Sequence, residues 1–374
     1  MSISLYVKNE YNLSIKSNYN DIINILNAPV VVNIPAILRI AKEAGYTEDF
    51  IKSEINRLRD LPGKLTAHEY YYYRLWESPA PETFAGREIR FGANDICNSY
   101  SWQATYSNKL LFHTIMKGAD LPIPKIKALV HVLWTFPDAM SVTNSIELKQ
   151  FLLNPNNYPL FAKPIFGSHG LGAIAAKGIE GNVIHLCDNT TMHIDDLIDS
   201  YPFGRGYIIQ ELLQPKQRFT DSSNIYTSRL LILNTTQGPV LHRGSVKIST
   251  GSNIADNFWL PGNILCAVDI NTGLITRVIE RGSYGLVYDP EYSTNLVGNN
   301  IEDWHKAVRL GIQAAAYFPG IRLQSWDIAM TDKGPVILEL NGAGDFNLLQ
   351  LGQRVGVYDE VFAQHLAECK AMQY

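Results

Sequence analysis

Apolar positions in this chain change rhythm near residue 100, and the change separates two kinds of structure. Between Ile34 and Leu61 they recur at helical spacing, first through Ile37, Leu38, Ile40 and Ala41, then through Phe50, Ile51, Ile55 and Leu58, with a break at Gly45. That spacing places them on one face of a helix, and the glycine interrupts it. Thr66 with Glu69 is a helix-start signature ahead of the run Tyr70 to Trp76. An aromatic run of this kind is expected to pack into a core. Residues 1–100 are therefore expected to form a mainly helical N-terminal region.

After Ser107 helices alternate with strands. Asn108 to Lys117 predicts a helix stopped at Gly118, and Ala128 to Phe136 predicts a strand. Asn144 and Glu147 form a capping box for a helix reaching Leu153. Leu160 to Pro164 reads as a strand returning at Gly172 to Ala176, Ile194 to Tyr201 as a helix, and Tyr207 to Leu213 as an apolar strand. Strands predominate from Tyr226 to Val278, with turns at Thr236-Gln237-Gly238-Pro239 and Asn271-Thr272-Gly273. A helix carrying Ile301, Trp304, Val308, Ile312 and Ala315 is expected to be capped by Asn300 and ended by Pro319-Gly320. The predicted class is α+β with large antiparallel sheets.

Composition narrows the possibilities. At 374 residues, 46% hydrophobic and 18% charged, the chain has the makings of two or three units around a substantial core. Its net charge of -4 lacks the basic footprint of a nucleic-acid binder, so no nucleic-acid partner is expected. Cys97, Cys187, Cys266 and Cys369 are scattered without CxxC or Cys/His metal spacing, which fits buried or inert thiols in a reducing cytoplasm. Met1 to Asn20 lacks the apolar core of a signal peptide, and no apolar stretch has the length of a membrane helix. The expectation is a cytoplasmic protein with no membrane insertion; its oligomeric state stays open.

Two segments carry the chemistry. In the first, Lys163-Pro164 closes a strand and Gly167, Gly170 and Gly172 follow with Ser168 between them. Such a loop lets backbone N–H groups approach an anion, and the lysine adds a point charge for phosphate oxygens. It is neither a Walker A loop nor a Rossmann fingerprint. Lys109, one helix and one strand earlier, is a second candidate phosphate ligand. In the second segment Glu339 and Asn341 stand two apart on a strand and so share a face, with Asp327 on the preceding strand across a turn at residues 331–335. Two carboxylates and an amide are hard oxygen ligands suited to Mg²⁺, which takes its other ligands from phosphate and water. Together the segments predict that ATP is consumed. Arg229 and Arg243, each flanked by apolar strand residues, are candidates for an anionic partner, and Asp256-Asn257 sits in a polar turn that could reach the phosphates.

The order of these parts, Asn108-Lys109, Lys163-Pro164 with its glycine loop, Gln210-Glu211-Leu212-Leu213, Arg229, Arg243, Asp256-Asn257, Asp327 and Glu339-Leu340-Asn341, resembles the ATP-grasp superfamily. Asn257, Ala267-Val268-Asp269 with Thr272-Gly273, and Trp326-Asp327 before the Glu-x-Asn make it similar to the sugar-transfer-associated subfamily over about Lys64 to Leu366. Two departures touch the substrate pocket: Ser325 stands where the subfamily often has glycine, and Pro261-Gly262-Asn263 where a double glycine is common.

The resemblance implies an ATP-grasp fold, two α+β subdomains clamping ATP, over residues 101–374, with a lid at about 145–210 and a metal-binding subdomain at about 211–374. It implies that Lys109 and Lys163 bind phosphates under a mobile loop from Gly167 to Gly172, and that Gln210, Glu211 and the backbone near Leu213 form the adenine hinge. Asp327, Glu339 and Asn341 would hold Mg²⁺, with Arg229, Arg243 and Asn257 at the phosphate and acyl-phosphate end. The implied activity is a carboxylate–amine ligase: a small-molecule or peptide carboxylate takes the γ-phosphoryl group, and an amine acceptor then displaces phosphate. The alternatives are a phosphotransferase acting on a hydroxyl, and a catalytically silent nucleotide-binding protein.

Overall fold

Two seven-stranded sheets carry the architecture of the computed structural model, which describes residues 33–167, 172–201, 204, 206–216, 225–250, 258, 262–281, 287–288, 295–342, 344 and 346–372. The first contains β1 (Ile126–Val130), β2 (Met140–Val142), β3 (Leu160–Pro164), β4 (Ile174–Glu180), β5 (Val183–Leu186), β6 (Thr191–His193) and β7 (Tyr207–Glu211). Its spatial order is β2-β1-β7-β3-β4-β5-β6, antiparallel except where β1 meets β2. The second contains β8 (Tyr226–Thr235), β9 (Gly238–Ile248), β10 (Ile264–Val268), β11 (Ile275–Arg281), β12 (Val287–Tyr288), β13 (Leu323–Thr331) and β14 (Gly334–Asn341). It runs β12-β11-β10-β9-β8-β13-β14 and is antiparallel throughout. Eleven α-helices complete a mixed α+β fold among the described residues.

Each sheet buries its apolar side chains under helices. In the first, Ala128, Ala162 and Ile209 share a core with Leu148 and Leu197 of the helices Ser145–Leu153 and Ile194–Ser200. In the second, alternate residues of β8 and β13 part to opposite sides, as the pleat requires. Leu230, Ile232, Trp326 and Ile328 lie with Trp304 and Ala307 of the helix Trp304–Ala315. Leu231, Leu233 and Leu323 lie with Phe346 and Phe362 of the C-terminal helices Phe346–Gln353 and Glu360–Ala371. Every residue of β13 is buried as a result.

The described part of the N-terminal region is helical, with helices Ile34–Glu43, Glu48–Arg59 and Ala67–Tyr73. Gly45 separates the first two at φ 90°. Thr66 and Glu69 close both halves of their capping box, and Tyr70, Tyr72, Tyr73 and Trp76 are core residues. That core includes Leu265, Ile279 and Leu348, so these helices pack on the second sheet rather than standing apart.

Of the boundaries that differ from the sequence expectation, two have a clear cause. The strand expected over Ala128 to Phe136 ends at Val130, because His131 Nδ1 accepts the N–H groups of Leu133 and Trp134, each at 3.0 Å, and turns the chain. The helix expected after Asn300 begins at Trp304 with Asp303, left-handed at φ 60°, as its cap. Ile301 N–H is already bonded to the Gly273 carbonyl at 2.9 Å, which holds that stretch out of the helix. Among the described residues no helix is long and apolar enough to cross a membrane.

Trp304 pins this helix to the second sheet: its side chain is buried, its indole N–H donates to the Ile270 carbonyl at 2.9 Å, and a Cβ on Gly273 would lie 2.6 Å from its own Cβ. Trp304→Ala should therefore lower unfolding free energy by about 3–5 kcal/mol in urea titrations. Trp304→Phe should recover part of that loss, and equal midpoints for the wild type and the alanine variant would show that the indole does not hold the helix.

Candidate active site

Register across three strands aligns the charged side chains of the second sheet. Arg229 of β8 stands opposite Asp327 of β13, and Asp327 stands opposite Glu339 of β14. Directly paired residues project to the same face, as do residues two apart, so Asn341 joins them. On the other side of β8, Ser245 of β9 pairs with Arg229, and Lys247 lies two residues further along the same face. The register shifts between Asp327 and Ile328, leaving Leu338 as the extra residue of a bulge just before Glu339. A bulge of this kind re-aims the side chains beside it.

The centre of the row is an ion pair with very little solvent contact. Arg229 grips Asp327 through one edge of its guanidinium, Nε to Oδ1 at 2.5 Å and Nη2 to Oδ2 at 2.9 Å, while Lys247 Nζ reaches Oδ2 at 3.2 Å. Their side chains are 10%, 5% and 4% exposed for Arg229, Asp327 and Lys247. Planar two-point contact is the strong geometry for such a pair. Both Asp327 oxygens are thus engaged by protein cations, a commitment that its reading as a metal ligand did not include.

Glu339 gathers charge from both sheets. Burial raises its carboxyl pKa, but Lys109, Lys163, Arg229 and Lys247 outweigh that and hold it well below the ordinary 4.5, at about 2. Asn341 Nδ2 donates to its Oε1 at 3.3 Å. Lys163 lies in β3 of the first sheet. Lys109 opens the helix Lys109–Gly118, capped by Asn108, whose Oδ1 accepts the N–H groups of Leu110 and Leu111. The Lys109 ammonium donates to the Gly167 carbonyl at 2.8 Å and reaches that of Ile165 at 3.5 Å, at the root of the glycine loop. Burial lowers the pKa of this lysine, and the charge of Glu339 opposes the change.

Among the described residues, four cations and two carboxylates meet in this cluster. The hydroxyls of Ser245 and Ser325, on the same face, are buried without a hydrogen-bond partner among the described residues. Buried polar atoms ordinarily have partners, and buried like charges repel. An anion bearing several oxygens would supply both needs. The oxygens of Glu339 and Asn341 are hard donors, so a small divalent cation fits beside that anion.

The remaining sequence candidates are placed less centrally. Gly167 and Gly172 bracket the loop with φ 134° and 72°, and a Cβ on Gly172 would come within 2.8 Å of the Tyr207 hydroxyl. Ser168, Gly170 and Asn257 lie outside the described residues. Glu211 Oε1 accepts the Lys125 N–H at 2.8 Å, Gln210 lies beside it on β7, and Leu213 follows the strand end, half-buried. There the chain crosses between sheets, with Pro215 bridging to Thr331 of β13. Arg243 is not drawn into the row: its guanidinium binds Asp359 at 2.7 Å and the Gly356 carbonyl at 3.0 Å. Lys247, absent from the sequence candidates, was signalled in the same way as Arg229, as a charged residue within an apolar strand.

The depressed pKa of Glu339 has a pH signature. Its ionised form contributes stability that is complete above pH 4.5 and is lost as pH falls towards about 2. Glu339→Gln should therefore flatten urea-derived stability across that acidic interval relative to wild type. Parallel curves for the two proteins would mean that the four cations do not act on this carboxylate.

The family model for sugar-transfer associated ATP-grasp proteins matches residues 93–365. No curated protein matches in sequence. Similar solved structures include the ADP complex of purK, an N5-carboxyaminoimidazole ribonucleotide synthetase, at 12% identity and TM-score 0.40, covering 68% of this chain and 52% of that one. VanG D-Ala:D-Ser ligase from Enterococcus faecalis gives 14% and 0.40, covering 71% and 61%. ATP-grasp ligase PsnB, with a phosphomimetic variant of its minimal precursor, Mg and ADP, gives 15% and 0.42, covering 73% and 62%. The chain thus spans between half and two-thirds of the length of these proteins. With the family model matched over most of its length, the chain belongs to the sugar-transfer associated ATP-grasp family.

Proposed function

We propose that this protein is an ATP- and Mg²⁺-dependent carboxylate–amine ligase, forming an amide or peptide bond and releasing ADP and phosphate. The observation that carries the reading is the convergence of Lys109, Lys163, Arg229 and Lys247 on Glu339, from both sheets. Lys109 and Lys163 bind phosphate oxygens at the root of the glycine loop, and Arg229 faces the transferring phosphoryl group. Glu339 and Asn341, with Asp327 behind them, hold Mg²⁺, which when bound supplies Lewis-acid neutralisation of phosphate charge. Gln210, Glu211 and Leu213 flank adenine at the crossing between sheets. Arg243 anchors the C-terminal segment behind the site, and Asn257 belongs to the phosphate end.

The chemistry needs positioning and charge more than covalent help. A substrate carboxylate oxygen bonds to the γ-phosphorus as the bond to the ADP oxygen breaks. The amine nitrogen then bonds to the acyl carbon, phosphate departs and one proton is lost. The same reading divides the chain into a helical region to residue 100, a lid at about 145–210 and a metal-binding subdomain at about 211–374. We place the reaction in the cytoplasm, where ATP is supplied.

Incubation with ATP, Mg²⁺, a panel of sugar acids and peptides, and hydroxylamine should yield a hydroxamate and one ADP for each. Lys163→Ala and Glu339→Ala should each lower kcat/KM by about 10²–10³-fold with circular dichroism unchanged. A phosphorylated alcohol without hydroxamate, or full activity in Glu339→Ala, would refute the ligase assignment.

A further inference from the structure

The cysteines show no metal spacing when the chain is scanned for short motifs, yet the fold assembles one. Cys97 ends the helix Arg87–Cys97, while His365 and Cys369 stand one turn apart on the helix Glu360–Ala371, where i and i+4 share a face. These two helices pack on the same apolar layer of the second sheet, and one ligand atom from each of the three residues lies within 4.8 Å of the others. All three are buried, at 4%, 2% and 2% exposure for Cys97, His365 and Cys369. The cluster stands apart from the ionic row and plays no part in the ligase reading.

We propose that Cys97, His365 and Cys369 bind a thiophilic divalent cation of the zinc class, which fastens the C-terminal helix to the rest of the fold. Geometry favours it: a tetrahedral ion with sulfur at about 2.3 Å and nitrogen at about 2.0 Å sets a sulfur–nitrogen edge of about 3.6 Å. Cys369 Sγ lies 3.6 Å from His365 Nε2. The nitrogen beside the thiol, Nε2, also lies 3.0 Å from the Arg322 carbonyl, and an ion bound at Nε2 would replace the proton it holds.

Charge also balances. Binding releases the two thiol protons, and the two thiolates then neutralise a divalent ion. Arg322, the nearby cation, is already paired with Glu368 at 3.4 Å and bonded to Met372 Sδ at 3.1 Å. The ion would sit where Arg322 N–H bonds to the Cys97 carbonyl at 3.0 Å, just before β13 begins, and so would brace the strand that carries Asp327.

Cobalt(II) is a spectroscopic probe that separates this site from oxygen donors. Titration of the reduced, metal-free full chain should saturate at one equivalent, with a thiolate-to-cobalt charge-transfer band and the intense visible bands of a tetrahedral centre. Zinc should displace it and raise the melting temperature. Cys97→Ala and Cys369→Ala, which keep small apolar side chains, should abolish the charge-transfer band and the zinc-induced rise; circular dichroism checks their folding. Absence of the band in the folded wild type, or its persistence in both variants, overturns the proposal. So does a reduced protein that takes up no cobalt while its oxidised form carries a Cys97–Cys369 disulfide by intact mass.

Discussion

Everything at the candidate site depends on one buried carboxylate, Asp327, being gripped from two directions. It occupies the strand buried at every position, where an ion without partners would be prohibitively costly. Arg229 and Lys247 supply two guanidinium contacts and one ammonium contact. Such a cluster gives little stability in net terms, yet removal of the cations would leave the Asp327 carboxylate without these contacts, at about 3–5 kcal/mol. They also set the potential felt by Glu339 on the next strand, so the same contacts that make the sheet tolerable electrostatically prepare its surface for an anion.

Placement of that surface follows from ordinary backbone geometry. Antiparallel register lines Arg229, Asp327 and Glu339 across three strands, and the bulge at Leu338 adjusts the last of them. The first sheet reaches the same point with Lys163 on β3, and Lys109 enters from a helix start fixed by Asn108. Each lysine is tied to structure that has its own reason to exist: β3 pairs with β4 and β7, and the Asn108 cap satisfies two N–H groups of its helix. The cations are thus delivered by the scaffold rather than by the site, which lets them stand close to one another before any ligand arrives.

Much of this was legible in the sequence, and the exceptions share a cause. The Thr66–Glu69 capping box, the Asn144 cap, the β3 strand, the hairpin turn at residues 331–335 and the pairing of Glu339 with Asn341 are local signals, each read within a few residues, although Glu147 bonds the Thr143 N–H rather than closing a box with Asn144. What escaped was non-local. Lys247 lies 80 residues from Asp327 along the chain, and nothing near it advertises the partner. Arg243 and Arg229 look alike as charged residues in apolar strands, but Asp359, 116 residues away from Arg243, claims only the former. Cys97 and Cys369 are brought together by a shared core beneath two helices. Helix starts failed where tertiary bonds intervened, as when Ile301 was held by Gly273.

The charge arrangement bears on how the two sheets relate. Glu339 is balanced by Arg229 and Lys247 of its own sheet, and by Lys109 and Lys163 from the side of the other. At an effective dielectric near 20, one unit-charge pair 4 Å apart is worth about 4 kcal/mol, and the value falls with distance. Moving the sheets apart would therefore strip Glu339 of half its cationic partners and expose the lysines to one another's repulsion. A polyphosphate seated between the sheets would reverse that balance, since its oxygens could take up Lys109 and Lys163 while a divalent ion took up Glu339. In the ligase reading, opening and closing of the cleft are then governed by the same charges that carry out the chemistry, because nucleotide and Glu339 compete for the two lysines. That competition would also give a reason for the carbonyl contacts of Lys109 at Ile165 and Gly167, which would hold the ammonium in place if a nucleotide replaced Glu339 as its anionic partner.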